Sequence, residues 1–157
     1  MRIRAARFHE IDELTALCRR SKAAWGYDAA FMAASAASLS VDITAIERGR
    51  VFVAEDAAGK VLGVASFGWL PATGAAELDL LFVEPTAMRA GVGRALLDRV
   101  VAAVTAARAR RLVIVADPNA AAFYRRCGAI YTCEVPSDAI PGRTLPLYTL
   151  DFGSARP

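Results

Sequence analysis

Histidine and lysine are nearly absent from this chain: His9 is the one histidine, and Lys22 and Lys60 are the only lysines among 157 residues. Three cysteines, Cys18, Cys127 and Cys133, cannot all pair, and none stands at a metal-ligand spacing. Together these shortages exclude a fully disulfide-paired framework and argue against a metal centre, so no metal is expected. Hydrophobic residues make up 55% of the chain, but many are alanines scattered among charges, and no apolar window approaches the length of a membrane span. A charged segment followed by a hydrophobic one is also missing, so no signal peptide is expected and the cytoplasm is the default location. The net charge of +3 is carried almost wholly by arginine, with no run of five like charges. No zinc-finger or recognition-helix pattern accompanies it, which leaves no case for a nucleic-acid partner. Arg108, Arg110 and Arg111 read as a solvated helix end, where cations complement the dipole. Neither repeats nor a Gly/Ser/Pro-rich linker divides the chain, so residues 1–157 are read as one domain. A chain of this size buries about two-thirds of its unfolded surface.

What is present is an alternation of strand and helix signals. Arg2 to Arg7 alternates as a first strand, and Ile11, Leu14, Leu17 and Cys18 recur at helical spacing as far as Ser21 or Lys22. Tyr27 to Ala37 and Asp42 to Arg48 read as short helices. Val51 to Glu55 and Val61 to Trp69 form a hairpin across the Asp56–Lys60 turn, and Ala75 to Val83 is a third strand after a turn at Pro71–Gly74. A long helix follows from about Gly91 to Arg108, then a strand over 111–116 and a helix from Asn119. Ala129 to Val135 and Leu145 to Phe152 close the chain as strands.

The densest chemistry lies at Phe82-Val83-Glu84-Pro85-Thr86-Ala87-Met88-Arg89-Ala90-Gly91-Val92-Gly93-Arg94, where a strand passes through a loop into a helix. Glycine has no Cβ, so the main chain around Gly91 and Gly93 can approach a ligand closely. At a helix start several N–H groups lack internal partners and the dipole is positive, a combination that holds phosphate. Arg89 and Arg94 flank the loop as charged donors. A Walker loop is excluded because neither lysine follows such a glycine pattern. A dinucleotide fingerprint lacks its third glycine, whose place Leu96 takes. Coenzyme A is the third option. Val83-x-Pro85 followed by Gly91-Val92-Gly93-Arg94-x-Leu96-Leu97 resembles the pyrophosphate-binding motif of the GNAT superfamily of N-acyltransferases. Met88 departs from it, standing where the family usually has Gln or Arg. Much of that contact is made by main chain in the family, and the neighbouring Arg89 supplies a charge.

Asp117-Pro118-Asn119-Ala120-Ala121-Ala122-Phe123-Tyr124-Arg125-Arg126-Cys127-Gly128 resembles the family's second coenzyme-contacting segment. From the residues alone, Asp117 is an N-cap, Pro118 suits a first turn and Gly128 ends the helix. Ala122, Phe123 and Arg126 share a helical face, while Tyr124 projects elsewhere. Taken singly, Tyr124 reads as a packed aromatic and Asn119 as a helix-start polar residue. The resemblance implies more: Tyr124 protonates the leaving thiolate, and the Asn119 side chain meets the pantetheine arm. It also implies acetyl-CoA as co-substrate and a central mixed, mostly antiparallel sheet flanked by helices on both faces (an α/β fold). Coenzyme contacts are expected from the main chain of Leu81, Phe82 and Val83, from Met88, Arg89 and Ala90, and from Gly91, Val92, Gly93 and Arg94. Oxyanion stabilisation is implied for the N–H of Val83 or its neighbour.

Acetyl transfer to an amine also requires that the amine lose a proton. Glu77 and Asp79 alternate along their strand, placing both carboxylates on one face and Leu78, Leu80 and Phe82 on the other. Such a pair is costly unless it opens to a cleft, and each raises the other's proton affinity. Glu77 lies fourteen positions before Gly91, where some members of the family carry a glutamate base. Glu77 is therefore the first candidate and Asp79 the second, with ordered water as a base that needs neither; a solubilised strand end is the bland alternative. Trp25 and Tyr27 flank Gly26 and could wall a pocket for a small-molecule or peptide amine, or plug a loop. Two rival readings stay open: a non-catalytic acyl-CoA-binding module, and a nucleotide-phosphate domain, which explains Gly91–Arg94 but not Asn119–Gly128. A homodimer is expected if the final strand forms a sheet edge.

Overall fold

The computed structural model describes residues 1–153. In chain order the elements are β1 (Arg2–Ala5), α1 (Ile11–Ala23), α2 (Ala29–Ala34), α3 (Ile43–Glu47), β2 (Val51–Glu55), β3 (Val61–Leu70) and β4 (Ala75–Val83), then α4 (Val92–Ala106), β5 (Arg111–Val115), α5 (Ala121–Arg126), β6 (Ile130–Pro136) and β7 (Thr144–Asp151). The seven strands form one sheet ordered β1-β2-β3-β4-β5-β7-β6. Only the β4–β5 pair is parallel, so the expected mixed, mostly antiparallel sheet is what the chain builds.

Period-two alternation sends neighbouring residues to opposite faces. On β2, Val51 and Val53 pack with Leu14, Leu17 and Cys18 of α1, whereas Phe52 and Ala54 pack with Leu96, Leu97 and Val100 of α4. The sheet thus has a core on each side. Fully burying a leucine or valine contributes about 1.5–3 kcal/mol. Gly63 sets the height of α4 over the sheet: a Cβ there would lie 2.9 Å from the Phe82 carbonyl oxygen and 3.0–3.1 Å from Leu96 and Val92.

Three expectations need correction. β1 stops at Ala5 rather than Arg7, because the Arg7 N–H donates to the buried Glu10 carboxylate (2.7 Å) and the chain turns there. Along β4, Leu78 does not share a face with Leu80 and Phe82. Ser66 is opposite Leu80 while Phe67 is opposite Leu78, so Asp79 is an extra, bulged residue and the alternation changes phase. Leu78 joins the α4-side core; Leu80 and Phe82 join the α1-side core, on the face of the carboxylates. On α5, as expected, Tyr124 projects away from the face of Ala122 and Arg126: it is the buried residue and they are exposed. Finally, β7 lies between β5 and β6, so it is not an edge; the edge strands are β1 and β6, and a homodimer has no free β7 edge to use.

Candidate functional site

The sheet opens in its middle. β4 pairs with β5 only through Ala75–Glu77 against Arg111–Val113, and beyond that point the two strands have no ladder between them. The Glu84 N–H donates to the Leu62 carbonyl (2.8 Å), so by antiparallel alternation Phe82 exchanges bonds with Val64, and Val83 and Leu81 turn their N–H and C=O groups the other way, into the gap. Of the three strand residues expected to contact a coenzyme through main chain, two offer free groups; Phe82 is committed to β3.

Beside this gap α4 begins. Gly91 is its N-cap with φ 82°, a conformation glycine adopts without strain, and Arg89 before it is also left-handed at φ 65°. The first helical bond runs from the Ala95 N–H to the Gly91 carbonyl, leaving the N–H groups of Val92, Gly93 and Arg94 without helical acceptors. A Cβ on Gly93 would lie 3.4–3.6 Å from Phe123 and Val83, so the start of α4, the end of β4 and α5 converge there. Met88 is half-buried, and Arg89 and Ala90 are exposed on the loop. Arg94 turns along its helix to pair with Asp98 (2.9 Å) instead of reaching over the loop. Arg20 of α1 ties down the loop entrance through Glu84, its Nε donating at 3.1 Å.

Opposite lies the acidic face. Glu77 is half-buried, and Asp79 lies over Gly68, whose added Cβ would be 3.1 Å from its carboxylate. Burial pushes the Glu77 carboxyl up, and Asp138 in the β6–β7 loop adds to it. Asp79 is open to solvent on one side, yet the surrounding protein and then Glu77 push its carboxyl up to about 6, with Arg50 opposing and Asp42 adding. A carboxylate in that range can accept a proton near neutral pH. Tyr124 is 6% exposed, wedged between Phe123 and Tyr148 with ring centroids at 5.1 and 6.5 Å. Burial, reinforced by Cys127 and Asp117, holds its phenol well above the ordinary value, so it stays protonated.

Trp25 and Tyr27 sit in different surroundings. Trp25 is 46% exposed. Tyr27 stacks on Phe31 at 3.9 Å and 8°, and its hydroxyl is engaged with Asp117 (2.8 Å), Arg143 (2.8 Å) and Asn119 (3.2 Å). Asp117 is the residue sequence reasoning undervalued. Its N-cap role is present, accepting from the Asn119 N–H at 2.8 Å. Its second oxygen takes Lys22 and Tyr27, remote in sequence, and no local signal points to them. Burial would raise this carboxyl, but Lys22, the Asn119 N–H and Tyr27 hold it below the usual range.

Residues 47–128 match the family model described as an acetyltransferase (GNAT) domain. That is over half of the 157 residues, and the chain belongs to the GNAT acetyltransferase family. Among solved structures the fold resembles PaiA N-acetyltransferase from Thermoplasma acidophilum in complex with coenzyme A (TM-score 0.76, 14% identity, 96% of this chain and 98% of that one). It also resembles YncA, a putative acetyltransferase from Salmonella typhimurium with its cofactor acetyl-CoA (TM-score 0.72, 24% identity, 100% and 97%). A third is ribosomal-protein-alanine N-acetyltransferase from Brucella melitensis (TM-score 0.71, 22% identity, 97% and 100%). At these identities the likeness speaks for the fold. No curated protein sequence matches the chain. Among the described residues no helix is long and apolar enough to cross a membrane.

Proposed function

We propose that this chain, acting as one domain in the cytoplasm, transfers an acetyl group from acetyl-CoA to a primary amine of a small molecule or peptide by direct attack in a ternary complex. The observation that carries the reading is the gap between β4 and β5. It sets free main-chain groups of Leu81 and Val83 beside the unsatisfied N–H groups opening α4, with raised carboxylates on the adjoining face. These features fit the coenzyme: an extended amide-bearing arm can pair with Leu81 and Val83 as an added strand would, and a pyrophosphate suits the helix start. Acetyl-CoA supplies the activated thioester.

The chain's own residues do the rest. Val92, Gly93 and Arg94 hold the phosphates with main-chain donors, supported by the loop of Met88, Arg89, Ala90 and Gly91. Asn119 orients the arm. The Val83 N–H faces the developing oxyanion, a contribution of about 3–4 kcal/mol where such a donor is removed in other enzymes. Glu77, or Asp79 beside it, takes the amine proton directly or through water, and the protonated Tyr124 gives one to the leaving sulfur. Glu77, Asp79 and Asp138 also favour a cationic acceptor.

The test is thermal unfolding with acetyl-CoA, CoA, ATP and NAD added separately. A ligand at a hundredfold over its Kd stabilises by about 2.7 kcal/mol, a melting shift of roughly 5–10 °C for a chain of this size. Shifts with acetyl-CoA and CoA alone are expected. A shift only with ATP or NAD would replace this reading with a nucleotide-phosphate domain. Binding without turnover across an amine panel would leave the acyl-CoA-binding module.

A further inference from the structure

Asn119 is held in a way that leaves it one thing to offer. Its side-chain nitrogen donates to Asp117 Oδ1 (3.0 Å) and to the Tyr27 hydroxyl (3.2 Å), so both amide hydrogens are spent within the protein. A flipped amide would set its oxygen against Asp117 Oδ1, two acceptors facing each other, so the network fixes the orientation. Among the described residues none donates to the Asn119 carbonyl oxygen, which is left as the free group on an exposed side chain. It can meet only a hydrogen-bond donor, such as an amide N–H of an extended ligand.

The Tyr27 hydroxyl is fully used as well. It donates to Asp117 Oδ2 (2.8 Å) and accepts from Asn119 and from Arg143 Nη2 (2.8 Å), filling one donor and two acceptor positions. Its ring is clamped. Phe31 stacks on one face at 3.9 Å, and Lys22 Nζ and the Arg143 guanidinium lie 5.1 and 5.3 Å from its centroid. Tyr27 follows α1, Asp117 follows β5, and Arg143 belongs to the β6–β7 loop that also carries Asp138. Separations of 90 and 116 residues make this a purely tertiary assembly.

We propose that Tyr27, Asp117 and Arg143 are positioning residues that lock the Asn119 amide with its carbonyl oxygen toward the coenzyme arm. The lock also ties the acceptor-side β6–β7 loop to the donor site. The proposal rests on the acetyltransferase reading above, and it goes beyond it by giving Tyr27 a role on the donor side in place of a wall for the amine.

A double-mutant cycle tests it: Tyr27→Phe, Asn119→Ala and the double variant, with the Kd of CoA by calorimetry, Tm, and steady-state kinetics. Tyr27→Phe keeps the stacked ring and removes the hydroxyl. It is expected to weaken CoA about 3- to 10-fold and to raise KM for acetyl-CoA by a similar factor, with kcat changed less than about twofold. In the Asn119→Ala background the same change should leave CoA affinity unaltered while any drop in Tm persists, since the effect on binding runs through Asn119. Equal weakening in both backgrounds, or none in either, overturns the proposal. Should Tyr27→Phe fail to fold, Arg143→Met, which removes the donor to the hydroxyl, enters the same cycle with the same expectations. A wild-type chain that binds no CoA would overturn the acetyltransferase reading together with this one; wild-type binding with an additive cycle overturns the positioning role alone.

Discussion

Glu10 and Glu55, near the first strand, and Glu77 and Asp79, on β4, are two pairs of acids in opposite circumstances. Glu10 and Glu55 are 5% and 6% exposed, and Arg4 reaches both, with Arg2 added on Glu55. Hydrogen bonds from Arg4 pull both carboxyls below their usual values. Among the described residues Glu77 and Asp79 have no such partner: desolvation by the surrounding protein pushes both up, Asp138 adds to the push on Glu77, and Glu77 and Asp42 add to that on Asp79, with Arg50 opposing. The first arrangement holds β1, β2 and the turn before α1 together. The second weakens the fold, and under the proposed acetyltransferase reading it is the pair that would take the amine proton. The signs differ accordingly. Glu10 contributes stability above its unfolded value of 4.5, lost as pH falls through its lowered folded value. Asp79, raised from 3.8 to about 6, costs stability once pH rises past that window.

Four experiments break or sharpen this contrast. Glu77→Gln with Asp79→Asn should lower kcat/KM by about 10²- to 10⁴-fold and remove the acid limb of its pH profile, expected near 6 in the wild type. An unchanged rate and profile in the double variant would sink the base assignment. Arg4→Met, which strands Glu10 with little solvent, should lower Tm by roughly 5–10 °C at pH 7 and leave kcat/KM within about twofold. A large kinetic effect there would erase the division of labour between the two pairs. Gly68→Ala places a methyl group 3.1 Å from Asp79 Oδ2, so it should displace that carboxylate and cost roughly 3- to 10-fold in kcat/KM with little change in Tm. Equal loss of both would mark Gly68 as ordinary packing. The smallest effect is on stability: Asp79→Asn should raise Tm by about 1–3 °C at pH 8, discounted for the solvent-exposed side of the residue, and the gain should vanish near pH 4. A gain independent of pH would mean that charge is not its cause.

Local patterns were legible wherever their cause is local. Ala75 to Val83 reads as a strand and is one, because its apolar residues and flanking turns act within a few positions. Gly91, Val92 and Gly93 read as a helix start able to meet a phosphate, and Gly91 is the N-cap in the conformation glycine permits. Asp117 reads as a cap and is one. The phase change at Asp79 was not legible, since nothing in Glu77-Leu78-Asp79-Leu80 distinguishes a bulge from plain alternation; the register against β3 decides it. That Tyr124 faces away from Ala122 and Arg126 follows from helical spacing, whereas its burial is decided by the Phe123 and Tyr148 rings packed against it.

By itself, then, the sequence determined the elements, the glycine-opened helix and the family resemblance, because hydrophobic period, turn chemistry and helix caps depend on neighbours in the chain. Tertiary structure alone decided which groups are free: the Leu81 and Val83 main chain, left open where β4 and β5 part; the phase of β4 around Asp79; and the orientation of Asn119, set by Tyr27 and Arg143 from opposite ends of the chain. Freedom and constraint of that kind are properties of a whole set of hydrogen-bond partners, and those partners meet only once the chain has folded.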